Sequence, residues 1–468
     1  MRSLVLGTLL AASLTVGAHA DAFCGFFVAG SNEKLTNNAS QVAILREGRR
    51  IALTMSNTYQ GPPQNFAMVV PVPVVLKKED VKTLPLDVFA HIDALTAPRL
   101  VEYWEQDPCA PSDEEKDDSL GGLAAPTTAV PAKPKGGSHG VTIEAHFAIG
   151  EYEILVLSAK ESNGLETWLR EHGYTLPSGA AAALAPYVRS QMKFFVAKVD
   201  ITKVKRDEHG TVKLSPLRMT YAADEVRLPV RLGLLNAEAK QDLVVYLLDP
   251  HSRFEVANYP NVFVPTNLEV LELVKKSFAS FYAELFDATL AQKQGKAVVT
   301  EYAWQTSSCD PCPTPPLQPA DLATLGASDK ADGKQTVGPT WASWVVTRLH
   351  ARYDRATLAD DLVFRSASPI VGGRASYRGT QADTGAKPSA ANNFQARYIV
   401  RNYWKGASSC AAPRWGRWGG PPGGIEPEPV AAQGLATAAR GNISLRSVVR
   451  SAVPSLKLPG MATPKHQK

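Results

Sequence analysis

Five cysteines, nine histidines and a few acid clusters are the groups in this 468-residue chain with covalent, acid–base or metal chemistry in reach. The tightest spacing is Cys309-Asp-Pro-Cys312. A redox pair of this type lowers one thiol pKa by seating it at a helix N-terminus directly after a strand. A strand-like run, AVVTEYAW, does precede the motif. Pro313, Pro315 and Pro316 follow at once, however, and proline inside a helix costs about 3 kcal/mol. The motif therefore reads as a structural disulfide, closing its own loop or pairing with distant cysteines, and not as a thiol–disulfide oxidoreductase. Zinc is not expected, because neither Cys nor His recurs at the spacing of a second ligand pair.

Asp249-Pro250-His251 and nearby Asn258 offer an acid, an imidazole and an amide after a strand. No nucleophile elbow or H-E-x-x-H pattern accompanies them, and a strand-end turn explains Asp-Pro equally well. His350 is read as a surface or half-buried residue of a helix. Asp360, Asp361 and the acidic run 113–118 lack the spaced acids and central glycine of a calcium loop. Gly372-Gly373 lacks the strand–glycine–helix context of a nucleotide loop. Arg414, Trp415, Arg417 and Trp418 interleave cation and aromatic, a pattern that stacks on sugars or bases or pairs internally. They are the candidate surface-binding residues. No catalytic residue, cofactor or metal ligand is assigned.

These side chains need a scaffold, and the hydrophobic pattern describes one. QVAILRE and RRIALTMS alternate around Glu47-Gly48, a hairpin signal. FAMVVPVP is a continuous apolar run broken by Pro71 and Pro73, expected as an edge or irregular strand. Residues 86–95 read as a short helix and APRLVEYWEQ as a strand. VTIEAHFAIGEYEILVLSA returns to strand; SNGLETWLREHG is a helix with Leu165, Trp168 and Leu169 on one face. A second helix is expected to be capped by Ser178, with Leu184, Tyr187 and Val188 inward. Thr266 and Glu269 form a capping box for a long helix carrying Val270, Val274, Phe278, Phe281, Leu285 and Phe286. WASWVVTRLHARY is read as a helix, and DLVFRSA and FQARYIVRNYW as strands.

The fold class expected is α+β: mainly antiparallel sheet with packed helices, plus a smaller C-terminal α+β unit. The organisation is a signal peptide over 1–20, a composite body over 21–305 with a disordered insertion at 110–140, a Pro-rich linker over 306–338, a small unit over 339–424 and a basic tail over 425–468. The signal rests on Arg2, the apolar run from Leu4 and the small-x-small site Ala18-His19-Ala20. No later stretch reaches the roughly 20 apolar residues of a membrane span. Net charge is +5. It is uneven: 397–468 carries eleven Lys or Arg against Glu426 and Glu428, leaving the remainder slightly acidic. A basic tail of this kind, with Leu445, Val448, Val449 and Ala452 on one helical face, suits weak contact with an anionic surface. Cysteines in an exported chain oxidise where geometry permits, and an odd number leaves at least one without an internal partner.

The segments FCGFFVA, FAMVVPVP, TAPRLVEYW, GLETWLREHGYTLP, LAPYVRSQMKFFVAKVDI, SPLRMTY, PVRLGLL and Asn258-Tyr-Pro260 together resemble a bacterial family catalogued as domain of unknown function 2330. LHARYDRATLADDLVFRSASPIVGG, FQARYIVRNYW and RWGRWGGPP extend the likeness, with 110–140 and about 431–468 departing. The resemblance implies export from a bacterial cell and supplies no activity, cofactor or catalytic residues. The expectation is an exported, non-catalytic envelope or extracellular protein that binds an unknown envelope component or protein. An extracytoplasmic hydrolase or carbohydrate-active enzyme is the alternative. Nucleic acid is not an expected partner.

Overall fold

The alternating runs at 39–56 form the antiparallel hairpin their pattern implies: Ala39–Glu47 pairs with Arg50–Ser56. Gly48 takes a φ of 61° in the turn, a conformation most side chains resist. The computed structural model describes residues 26–29, 39–56, 58–59, 66–110, 140–200, 202–204, 212–235, 240–328, 330–331, 334–335, 343–374, 384–422, 424, 429–431 and 438–461. The signal segment, Cys24, nearly all of the 110–140 insertion and the acidic run within it lie outside the described residues.

The hairpin belongs to an 11-stranded mixed sheet. Gln241–Asp249 runs parallel to Ala39–Glu47. Val345–Tyr353 lies antiparallel between Gln241–Asp249 and Val298–Gln305. A second, antiparallel sheet of five strands contains Phe66–Val72, Lys193–Val199, Tyr152–Ala159 and Val141–Ile149. Among the described residues, the helices longer than one turn are α1 (Asp87–Thr96), α2 (Ser162–Glu171), α3 (Ala180–Arg189), α4 (Phe278–Ala291) and α5 (Pro319–Leu325), besides short 3-10 segments.

Side-chain alternation along each strand builds the layers. Val42 and Ile44 meet Met68, Val70, Ile154 and Phe195 in a core between the two sheets. Ala43 and Leu45 point the other way, onto Phe89 and Ile92 of α1 and Leu322 of α5. Ala67 and Val69 face Leu165, Trp168 and Leu169 of α2 and Leu184 of α3. The order is helices, sheet, sheet, helices. Each fully buried Leu, Ile or Phe contributes roughly 1.5–3 kcal/mol relative to exposure. The α+β class expected from the sequence is the class observed.

Several local expectations are corrected. Phe66–Val72 is no edge strand: it is buried throughout and paired on both sides. Its proline is tolerated because Phe26–Ala29 reaches only Phe66–Val69, leaving one side of Pro71 without a ladder. Ser178 does not cap α3, whose N-cap is Gly179; the Glu166 carboxylate accepts from the Ala181 amide instead. The stretch from Thr266 divides into the strand Leu268–Val270, a 3-10 turn at Glu272–Ser277 and then α4. Pairing of Leu268–Val270 with Tyr398–Val400 overrides the helical start, while the apolar stripe still packs as one core. WASWVVTRLHARY is not a helix: Val345–Tyr353 is a strand in the interior of the large sheet. Its polar side chains Arg348, His350 and Arg352 alternate with Leu349, Ala351 and Tyr353, the period of a strand, and both sets are covered in the folded protein.

Within 306–338, α5 packs Leu322 and Leu325 into the core beneath the large sheet. Arg218 donates to the Ala323 and Thr324 carbonyls at its C-terminal end, where a cation also meets the negative end of the helix dipole. Within 339–424, Val345–Tyr353 and Asn393–Gln395 pair with Val298–Gln305, and Arg397–Asn402 pairs in parallel with Arg99–Glu105. Beyond these, residues 438–461 cross α4. They form one α-helical turn, Leu445–Val448, and a 3-10 turn, Pro454–Leu456, in place of the longer amphipathic helix expected. Val448, Val449, Val453 and Leu458 are buried against α4 and the strand Leu268–Val270.

Candidate functional site

Val345–Tyr353 decides where the acid–base chemistry of this molecule lies. Its alternation places Arg348, His350 and Arg352 on one face and Leu349, Ala351 and Tyr353 on the other. Across the sheet, the register sets Tyr246 opposite Arg348, Val244 opposite His350 and Asp242 opposite Arg352. On the other side, Thr300 pairs with Leu349 and Tyr302 with Arg348, so Glu301 is an extra residue in a bulge. A bulge re-aims a side chain. Here it turns the Glu301 carboxylate onto the face that carries Arg348 and His350.

The result is a sealed ionic network. His350 is 1% exposed. It donates through Nδ1 to Glu301 Oε1 at 2.8 Å and through Nε2 to Asp242 Oδ1 at 2.9 Å. Arg348 donates through Nε to Glu301 Oε2 at 2.6 Å and through Nη1 to Asp93 Oδ1 of α1 at 2.5 Å. The Tyr282 hydroxyl of α4 donates to Glu301 at 2.8 Å, and the Tyr246 hydroxyl donates to Asp93 at 2.7 Å. Phe286 stacks on the His350 ring with centroids 4.1 Å apart. At the rim, Asp287 of α4 receives Arg352 at 2.9 Å and Arg440 at 3.0 Å, and Arg440 also lies 3.7 Å from Asp242. Four carboxylates thus face three arginines and one imidazole.

Charge compensation sets the protonation states. Burial pushes the His350 imidazole down, but Glu301 and Asp242 outweigh it and hold it up at about 9. Burial pushes the Glu301 carboxyl up, but His350 and Arg348 hold it down at about 2. Burial raises the Tyr246 and Tyr282 phenols well above their ordinary range, and the neighbouring carboxylates add to this. At neutral pH His350 is an imidazolium with both N–H groups engaged. It has no lone pair for a metal and no basic nitrogen for proton abstraction. Cavities of about 370, 480 and 750 Å³ open elsewhere on the surface, and no member of the network lines them. The arrangement can hold three strands, two helices and the 438–461 segment together. Its central members Glu301, Arg348 and His350 are at most 2% exposed.

A second buried cluster lies under the Cys309–Cys312 loop. Arg99 and Arg397 face each other in register across parallel strands and are 1% and 0% exposed. Arg99 donates through Nη1 to the Pro311 carbonyl and through Nη2 to the Leu95 carbonyl. Gln395 donates to the Asp310 carbonyl, and Arg397 lies 3.8 Å from the Asp310 carboxylate. Burial lowers the Arg99 guanidinium to about 10, with Tyr302 and Asp310 opposing and Arg397 adding to the fall.

The residues singled out from the sequence are dispersed. Asp249 accepts the amides of His251 and Ser252, a local turn, and His251 is exposed. Asn258 instead braces the backbone of Asp361 and Val363. Asp360 pairs with Arg231, and Asp361 accepts the Tyr187 hydroxyl at 2.7 Å. His350 is corrected outright, from a surface or half-buried residue of a helix to a buried residue of an interior strand. A Cβ on Gly373 would fall 1.9 Å from the Gln395 carbonyl oxygen, so close backbone approach accounts for that glycine. Cys309 and Cys312 are disulfide-bonded, as are Cys109 and Cys410.

Of the Arg/Trp quartet, Arg417 donates to the Asp107 carbonyl, while Trp418 receives the Arg401 guanidinium at 4.8 Å and the Tyr403 ring at 5.2 Å. Arg414 is exposed and donates to the Ala110 carbonyl; Trp415 is half-buried. Among the described residues, no group of three or more His, Cys, Asp or Glu is placed to hold a metal ion. No helix among them is long and apolar enough to cross a membrane. Sequence reasoning missed Glu301, Asp242, Asp93 and Arg348. The signal that would have found the last was the alternation Arg-Leu-His-Ala-Arg-Tyr at 348–353.

Compared with known proteins, residues 18–365 match one family model, described as an uncharacterized protein conserved in bacteria (DUF2330). No curated protein and no solved structure matches the chain. The matched span holds Asp93, Asp242, Glu301, Arg348 and His350, and ends before Arg397 and Arg440.

Proposed function

The chain belongs to the DUF2330 family of uncharacterized proteins conserved in bacteria, and from that starting point we propose that it is an exported, non-catalytic envelope or extracellular protein that binds an envelope component or another protein. The observation that carries the reading is the fate of its strongest acid–base group. The His350–Glu301–Arg348 network is consumed internally, with His350 fully engaged and 1% exposed. A hydrolase needs such groups at a pocket wall with free valences. Two disulfides suit an oxidising compartment outside the cytosol.

The contact surface proposed is the C-terminal side of the molecule, where Arg414 is exposed beside Trp415 and the surrounding chain is rich in cations. An anionic polymer or lipid surface fits that charge. Two measurements test the reading. In fractionated cells, the chain should be extracytoplasmic and begin at Asp21; an intact Met1 in the cytosol overturns export. Purified protein should co-sediment with isolated envelope in a salt-sensitive way, and Arg414→Ala with Arg417→Ala should weaken that association. Turnover of glycosidic or ester substrates by the purified chain would favour the hydrolase alternative and defeat the non-catalytic one.

A further inference from the structure

The two disulfides differ in ways that assign them different chemistry. Cys109–Cys410 joins positions 301 residues apart, and Cys309–Cys312 joins positions 3 apart. A long closed loop removes far more freedom from the unfolded chain than a short one. By linkage, the native fold protects the long-range bond strongly and the short-range bond weakly. Access points the same way: Cys312 is exposed, whereas Cys109 and Cys410 are half-buried. Cys309 packs against the core that holds α1 and α5.

The loop between Cys309 and Cys312 does not depend on the sulfur bond alone. Gln395 holds the Asp310 carbonyl, Arg99 holds the Pro311 carbonyl, and Arg397 faces the Asp310 carboxylate at 3.8 Å. These three side chains are at most 1% exposed. Two buried guanidiniums therefore sit under the loop, with the Asp310 carboxylate beside Arg397. Such cationic surroundings stabilise a thiolate and make a cysteine a better leaving group.

We propose that Cys309–Cys312 is a reducible, exchangeable disulfide, with Cys312 the sulfur attacked and Cys309 the leaving thiolate, and that its reduction leaves the body of the protein folded. The co-reactant is a dithiol. One of its thiolates bonds to Cys312 Sγ as the Cys309–Cys312 bond breaks, and Cys309 departs with the electron pair. The second sulfur of the dithiol, deprotonated, then attacks the first. Cys312 is released as a thiolate and the dithiol leaves as its own disulfide. Two electrons have passed to the protein, and the two protons lost by the dithiol go to solvent or to the new thiolates. The helix-borne mechanism rejected from the Pro-rich sequence is not involved; buried arginines take the place of the helix N-terminus.

The test uses the full chain in graded dithiothreitol, with the freed thiols alkylated and mapped by peptide mass. Cys309 and Cys312 should label at about tenfold lower reductant than Cys109 and Cys410, with the circular dichroism spectrum unchanged. Joint reduction of both bonds, earlier reduction of Cys109–Cys410, or loss of structure on reducing Cys309–Cys312 overturns the proposal. In the selectively reduced chain, the alkylation rate of Cys309, the leaving thiolate, should reach half its maximum below the ordinary thiol pKa of about 8.5. A midpoint at or above that value removes the role given to Arg99 and Arg397. Arg397→Gln should move the midpoint upward in a folded variant, and no movement removes that role as well.

Discussion

Two clusters of buried cations stand side by side in this protein and solve the same electrostatic problem differently. Around His350, each cation meets a carboxylate: Glu301 and Asp242 hold the imidazolium, Glu301 and Asp93 hold Arg348, and Asp287 holds Arg352 and Arg440. Around Arg99 and Arg397, the Leu95 and Pro311 carbonyls, the Asn267 side-chain oxygen and the half-exposed Asp310 carboxylate are among the partners. The consequence appears in the protonation equilibria. Despite its burial, Arg348 is raised above the ordinary arginine value by Tyr246, Asp93 and Glu301; Arg99 falls to about 10, burial being the main cause. A compensated network acts as a lock between elements. The arginine pair places two guanidiniums under the loop it supports. The first is structural in effect, and the second is available to whatever negative charge arises beside it.

The largest expected effect comes from breaking the compensated network. Glu301→Gln removes the carboxylate shared by His350 and Arg348 and leaves both buried without it. Loss of one partner from a buried pair costs about 3–5 kcal/mol, which urea unfolding at pH 7 should register. A loss below about 1 kcal/mol would mean that water already reaches the network.

Next in size is the pH dependence. His350, raised to about 9 from an ordinary 6.5, contributes stability that is complete below pH 6.5 and disappears as pH climbs through 9. Glu301, lowered to about 2 from 4.5, contributes stability present above pH 4.5 and lost as pH falls towards 2. Thermal unfolding should therefore show a plateau at pH 4.5–6.5 with a decline on each side, and His350→Gln should flatten the alkaline limb. A smaller effect is expected from Arg397→Met. It discards a hydrogen bond to Asn267 but relieves the facing Arg99, so a cost of about 1–2 kcal/mol is expected in the same urea assay. The two clusters differ as described only if this is milder than Glu301→Gln. Smallest is Arg440→Ala at the rim, where partial exposure screens the pair with Asp287; a cost of about 0.5–1 kcal/mol is expected, shrinking in high salt.

The amino-acid sequence by itself determined the class and many of the elements. Period-two alternation at 39–56 and 141–159 became hairpins, and the Leu165, Trp168, Leu169 spacing became a buried helix face. At 141–159 and in α2 the pattern survives because one face is buried and the other stays polar. The hairpin at 39–56 is covered on both faces, and its period shows because the side towards α1 and α5 carries the small Ala43 and Ala52. Phe66–Val72 is expected as an edge or irregular strand because of Pro71 and Pro73, and Val345–Tyr353 as a helix although Arg348, His350 and Arg352 alternate with Leu349, Ala351 and Tyr353. With the second misread, His350 could not be placed among its partners.

The network itself was settled only by the tertiary structure. Asp93, Asp242, Glu301 and His350 are far apart in the chain and carry no motif spacing. They meet because Val345–Tyr353 inserts between two other strands and a single extra residue in Val298–Gln305 turns Glu301 inward. Cys309-Asp-Pro-Cys312 is the converse case. Its spacing was visible at once, but the arginines beneath it come from positions 99 and 397, which only strand pairing brings together. Local pattern records what a residue does to its own backbone. Charge complementarity across a sheet is decided by register, and register belongs to the folded chain.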